Sequence, residues 1–137
     1  MYQSHTHIRV RYGETDQMNI VYYGNYALYY EVGRVEVLRQ LGLSYKDLEE
    51  IGIMMPVIEN HSIYLGSAVY DDLLKIVVTI PEKPTVKICF QYEIYNEQPE
   101  LIHKGKTILV FINKTTKRPC RPPENFMKVL EPYFKSN

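Results

Sequence analysis

The sequence predicts an α+β domain in which one long helix lies against an antiparallel sheet. Two observations carry that expectation. Residues 24–41, GNYALYYEVGRVEVLRQL, contain no proline and place apolar side chains around most of a helical circumference. After residue 52 the character changes to β, in segments separated by short turns.

Taken in order, residues 5–12 (HTHIRVRY) alternate polar and apolar and form the first expected strand. GETDQMN, residues 13–19, is a turn-forming cluster. In the long helix, Ala27, Tyr30, Arg34, Leu38 and Leu41 share one face, and Tyr26, Tyr29, Gly33 and Val37 an adjoining one. Glycine inside a helix costs about 1 kcal/mol against alanine, so Gly33 points to close packing against the sheet. Gly42 is the expected stop, and Ser44 the N-cap of a short helix that Gly52 ends.

Residues 53–66, rich in Ile, Val and Met, begin the β region, followed by LLKIVVTI at 73–80. Residues 85–95 (TVKICFQYEIY) set Val86, Ile88, Phe90, Tyr92 and Ile94 on one face, and residues 101–113 make the last long strand. Short connections at 81–84 and 96–100 suit antiparallel hairpins, and Pro123 is placed to open a C-terminal helix through Tyr133. A single sheet covers only one side of the long helix. A second copy is therefore expected to complete its burial.

The 137 residues suit one domain, 1–137, able to bury roughly two-thirds of its unfolded surface. Sixteen basic and 16 acidic residues cancel, which argues against a nucleic-acid binder. Cys89 and Cys120 form neither a CxxC pair nor a disulfide framework, so a reduced, cytoplasmic protein is expected. No apolar run approaches a membrane span and the N-terminus shows no signal core, so no membrane insertion is expected. His5 and His7 alternate on a strand while His61 and His103 stand alone; no metal-ligand spacing appears, and neither metal nor cofactor is expected. A glycine-rich phosphate loop, a G-x-S-x-G elbow and a cysteine–histidine pairing are all lacking.

Residues 11–36, RYGETDQMNIVYYGNYALYYEVGRVE, resemble the hotdog thioesterases of the 4-hydroxybenzoyl-CoA thioesterase type, including the bacterial short-chain and Tol-Pal-associated acyl-CoA members. The resemblance rests on Asp16, the apolar pair Ile20-Val21, the aromatic pair Tyr22-Tyr23, and Asn25-Tyr26 opening the helix, with Glu31, Arg34 and Glu36 further along. Tyr70-Asp71-Asp72-Leu73 is similar to a turn between strands in that family, and residues 104–119 resemble its final strand and turn. The first block is fairly specific, and the later ones occur in the right order. The chain departs from many relatives in carrying Tyr23 where they have histidine, and Gln17 and Met18 where they have glycine or proline. The benzoyl-CoA branch shares the tyrosine.

The resemblance implies a hotdog fold, a five-stranded antiparallel sheet wrapped around one central helix, and hydrolysis of acyl-CoA thioesters. That reaction needs a group to attack or activate water, and a donor for the oxyanion. Asp16, which by itself reads as a turn residue, then becomes the catalytic carboxylate, as nucleophile or as general base. The backbone N–H groups at Tyr23 and Gly24, at the positive end of the helix, become the oxyanion donors. Val21, Asn25 and Tyr26 are the expected substrate-binding residues. Asn25 is expected to cap the helix, or alternatively to orient the Asp16 loop.

Glu31 and Glu36 are read as ion-pair or surface residues beside Arg34. Lys104, Lys106, Lys117, Arg118 and Arg121 form either a solvated face or contacts to CoA phosphates. The expected assembly is a homodimer, with dimers pairing into a homotetramer. Acyl carrier protein as carrier, and non-catalytic binding of acyl-CoA, stand as the alternative readings. A dehydratase would need a paired histidine and carboxylate, and no histidine lies in the loop before the long helix or within it. Tyr26, Tyr29, Tyr30, Met54, Met55 and Tyr64 are candidates to line the acyl tunnel across the dimer.

Overall fold

The computed structural model describes residues 1–135. Five strands form one antiparallel sheet in the order β1-β4-β5-β6-β3: β1 (Tyr2–Arg9), β3 (Val57–Tyr64), β4 (Leu73–Ile80), β5 (Lys87–Tyr95) and β6 (Leu101–Val110). Strands β2 (Ile53–Met54) and β7 (Ile112–Asn113) pair separately. The helices are α1 (Tyr26–Gln40), α2 (Tyr45–Glu50) and α3 (Glu124–Leu130). Among the described residues no helix is long and apolar enough to cross a membrane.

Several boundaries move for identifiable reasons. β1 sits three residues upstream of the expected 5–12, because Tyr12–Glu14 curl into a 3-10 turn after Val10 makes its last bonds to Asp71 and Asp72. The expected strand 53–66 breaks at Met55-Pro56, where proline cannot donate to a ladder. The strand expected over 101–113 breaks at Phe111, whose N–H binds Val86 and whose carbonyl accepts from Cys120, both outside the β6 ladders. Helix ends fall where their caps stand. Ser44 Oγ accepts from Asp47 N at 3.1 Å, and Gly42 and Gly52 take φ values of +81° and +83°.

Helix α1 lies on the sheet's inner face. Leu74, Ile76, Val78 and Ile80 of β4 and Ile88, Phe90, Tyr92 and Ile94 of β5 are buried beneath it. Val86 falls just before β5 and is partly exposed. A Cβ on Gly33 would lie 3.0 Å from Val78 Cγ2 and 3.2 Å from Ile76 Cγ2, so the close approach is to β4 methyl groups. Beside it, Tyr30 stacks on Tyr92 with ring centroids 4.2 Å apart. The other flank of α1 leaves Ala27, Leu28 and Glu31 exposed.

Candidate active site

The loop between β1 and α1 is tied to the helix through one buried carboxylate. Glu14 Oε1 accepts from Arg11 N at 2.7 Å and from the Tyr29 hydroxyl at 3.0 Å, while Arg11 Nη2 reaches Glu14 Oε2 at 3.1 Å. The Glu14 carbonyl accepts from Tyr22 N at 2.9 Å and Asn25 Nδ2 at 2.8 Å. Loop and helix start are thus held as a unit. Each bond to the carboxylate is charge-assisted and of the stronger kind.

Within that frame Asp16 is half-buried. Its N–H donates to Ile20 O at 2.9 Å and its carbonyl accepts from Asn19 N at 2.9 Å, a tight turn in which Asn19 adopts φ +65°. Oδ1 accepts from Met18 N at 2.8 Å, the local side-chain turn that aspartate favours. The second carboxylate oxygen takes no hydrogen bond among the described residues. A single 3-10 turn, Tyr23–Asn25, leads into α1. The N–H groups of Tyr23 and Gly24 have no backbone acceptor among the described residues, as expected at a helix start.

A cleft of about 220 Å³ brings five of the sequence-predicted residues together: Asp16, Val21, Tyr23, Tyr26 and Tyr64 line it with Gly66. Asp16 also borders a neighbouring cavity of about 540 Å³ beside Tyr12 and Tyr70. Gly24 and Asn25 stand next to the cleft rather than in its wall. Gly24 sits under the Tyr22 ring, where a Cβ would come within 2.9 Å of a ring carbon. Asn25 occupies the N-cap position of α1, yet its side chain makes no cap bond and instead holds the Asp16 loop through Glu14. The expected cap gives way to the alternative role, because Asn25 has helical backbone angles that turn its amide away from the helix amides.

Glu31 is exposed and Glu36 pairs with Arg39. Arg34 reaches neither glutamate; it is buried and donates to the hydroxyls of Tyr45 at 3.1 Å and Tyr92 at 3.2 Å. Lys104 and Lys106 stand opposite Glu93 and Gln91 of β5, and Lys117 and Arg118 lie in the turn after β7. None of the five basic residues lines the cleft. Among the described residues no group of three or more His, Cys, Asp or Glu is placed to hold a metal ion.

Two residues of this region escape sequence reasoning. Glu14 carried only a faint signal, its three-residue spacing from Arg11. His103 carried none. It is 0% exposed, stacks on Tyr26 at 4.0 Å and meets Tyr64 edge-on at 4.8 Å. Its Nε2 hydrogen-bonds the Tyr30 hydroxyl, which also meets Ser62 Oγ at 2.6 Å. Burial pushes the imidazole down to about 4 and the phenols of Tyr26 and Tyr30 up to about 12, so all three are neutral near pH 7.

One long helix packed into a five-stranded antiparallel sheet is the architecture of the hotdog fold. Residues 10–130 match the thioesterase-like superfamily, and the chain belongs to it. It is 34% identical over 121 residues, 88% of each chain, to a protein of Bacillus subtilis named as a putative acyl-CoA thioesterase, YneP. It is 26% identical over 120 residues to the acyl-CoA thioester hydrolase YbgC of Escherichia coli, covering 88% of this chain and 90% of that one. Among solved structures, a DHNA-CoA thioesterase from Staphylococcus aureus superposes with a TM-score of 0.89 at 37% identity, over 97% of this chain and 89% of the other.

Proposed function

We propose that this protein hydrolyses acyl-CoA thioesters to the free acid and CoA in the cleft between Asp16 and the first turn of α1. The observation that carries the reading is that Asp16, with one carboxylate oxygen unengaged among the described residues, lines the same cleft as Tyr23, whose N–H at the helix start has no acceptor among them. Asp16 attacks the thioester carbonyl directly, giving an anhydride that water then cleaves, or it takes a proton from an attacking water. On either route the carbonyl oxygen becomes an oxyanion, which the N–H groups of Tyr23 and Gly24 stabilise together with the helix dipole. One such donor contributes about 2.7–4 kcal/mol to the transition state. Collapse of the adduct expels the CoA thiolate, which takes up a proton.

Val21 and Tyr26 form the wall that receives the acyl group, and Asn25 keeps the Asp16 loop in register with the helix. The relatives' names support CoA as the carrier, and the tyrosines lining the cleft, Tyr23, Tyr26 and Tyr64, suit an apolar or aromatic acyl group. Two further parts of the reading concern the setting. The protein acts as a homodimer joined through the open edge of β3, with pairing of dimers into a tetramer as the next level. Its two free cysteines fit the reducing cytoplasm.

The test is CoA release, followed with a thiol reagent, from a panel of acyl-CoAs and an acyl carrier protein thioester. Asp16→Asn and Asp16→Ala are expected to lower kcat by at least about 10²-fold, the lower range for a positioned acid–base group. Full activity in both variants removes Asp16 from the mechanism. Tight acyl-CoA binding with no turnover by the unmutated protein replaces the enzyme with a sequestering protein.

A further inference from the structure

We infer that Glu14 is a positioning residue for hydrolysis, its buried carboxylate fixing the Asp16 loop against the N–H groups at the start of α1. The inference rests on the thioesterase reading above. It adds the part that holds the attacking group and the oxyanion donor in one geometry.

Asp16 and the chain entering Tyr23 lie on the two arms of a short hairpin. Tyr22 N donates to Glu14 O and Asp16 N to Ile20 O, both at 2.9 Å, with Thr15 and Val21 bridged between them. A lone two-stranded hairpin is marginally stable at best in water, so arms this short need an outside anchor. Asp16 does not supply one. Its hydrogen bonds, with Ile20 O, Asn19 N and Met18 N, all stay within the hairpin tip.

Glu14 supplies it. It stands at the open end of the hairpin, two residues from Asp16, and is only 7% exposed. Oε1 accepts from the Tyr29 hydroxyl, in the first turn of α1, and from Arg11 N in the chain leaving β1. The Glu14 carbonyl accepts from Asn25 Nδ2 as well as Tyr22 N. Three donors from the helix start and the segment leading into it therefore converge on one residue.

Burying a carboxylate is costly unless hydrogen bonds compensate, and the bonds it then makes are short and directional. None of its partners lies in a strand of the sheet. The tie therefore orders the junction that carries Asp16 and Tyr23 rather than the core. Catalysis is sensitive to such order, because a misplacement of about 1 Å can cost about 10²-fold in rate.

The two carboxylate oxygens have separable roles. Oε1 takes both buried bonds, whereas Oε2 meets only the Arg11 side chain, which is 80% exposed. Glutamine can keep the first oxygen and lose the second. Alanine loses both.

The test measures kcat and KM for Glu14→Ala, Glu14→Gln, Tyr29→Phe and the Glu14→Ala/Tyr29→Phe double variant, each below its own Tm. The substrate is the acyl-CoA that the unmutated protein cleaves fastest. Glu14→Ala is expected to lower kcat about 10²-fold with KM held within about threefold, since the cleft walls remain while the reacting groups drift. Glu14→Gln is expected to recover at least about tenfold of that loss, and Tyr29→Phe to lose about tenfold. The double variant is expected to be no slower than Glu14→Ala, because both changes remove the same tie. Unchanged kcat in Tyr29→Phe, or a Glu14→Ala loss that glutamine does not restore, makes Glu14 structural and overturns the inference. Should Glu14→Ala fail to fold, Tyr29→Phe and Glu14→Gln decide by the same criteria. An active unmutated protein with unaffected variants sinks this inference alone, whereas an unmutated protein that releases CoA from no thioester removes the thioesterase reading with it.

Discussion

His103 is a neutral base in a place that refuses its proton, and this has a thermodynamic consequence. Burial lowers its pKa from an ordinary 6.5 to about 4, and the rings of Tyr26, Tyr30 and Tyr64 pack around it, with no carboxylate among its described neighbours. Between those two values the unfolded chain binds a proton that the folded chain rejects. Stability contributed by the neutral ring is therefore complete above about pH 6.5 and declines as pH falls towards 4. Urea unfolding at pH 7 and pH 4.5 should show the unmutated protein losing more stability on acidification than His103→Phe. Equal losses in the two proteins would assign the acid sensitivity to other groups. This residue was illegible in the sequence because its partner Tyr30 stands 73 positions away and meets it only through the fold. That Asp16, Tyr23 and Tyr26 share one cleft was legible because they fall within one short block with a recognisable order. Asn25 was legible as a position but left between two roles, since its choice between the helix amides and the Glu14 carbonyl depends on backbone angles.

At the level of elements, β1 and β5 could be read from their alternation, because each buries one face and the side-chain period records it, and the long helix from its proline-free apolar run; β3 could be read only from composition, since nearly all its side chains are exposed. Their ends could not, because local hydrogen bonds decide them: the 3-10 turn after β1, Pro56 before β3, and the Phe111 crossing after β6. Gly33 is the point where the element-level reading becomes quantitative. Alanine would add about 1 kcal/mol of helix propensity. Its methyl would also press on Val78 and Ile76 at 3.0 Å and 3.2 Å, in a packed core where overfilling costs about 1–3 kcal/mol. The second effect is the larger. Gly33→Ala is expected to lower Tm by a few degrees, and Gly33→Val by considerably more, in a calorimetric or circular-dichroism melt. A higher Tm for the alanine variant would mean that α1 and β4 are less tightly joined than their geometry indicates.

For the whole molecule, the two open edges of the sheet are unlike. The side chains of β1 that meet water are Gln3, His5, His7 and Arg9, polar groups that discourage strand addition. β3 exposes Glu59, Asn60 and His61 in its middle, but Ile58 at one end and Ile63, Tyr64 and Leu65 at the other, and Leu28 of α1 is also 53% exposed. Isolated apolar residues on a surface are ordinary, but apolar groups at both ends of an unpaired strand edge suit a pairing surface. Antiparallel pairing of β3 with the same strand of a second copy makes a ten-stranded sheet, satisfies the open backbone groups, and withdraws these side chains from water. Sedimentation is therefore expected to give twice the 16.2 kDa chain mass, or four times if dimers pair. Ile63→Lys combined with Leu28→Glu places charges on this apolar surface, and is expected to shift the population towards the single-chain mass at micromolar concentration. Because Tyr64 belongs both to that edge and to the cleft, thioester hydrolysis should fall with dissociation and recover as the protein concentration is raised. An unmutated protein that sediments as one chain yet turns over substrate would place the complete site within a single copy and leave the β3 edge without its proposed partner.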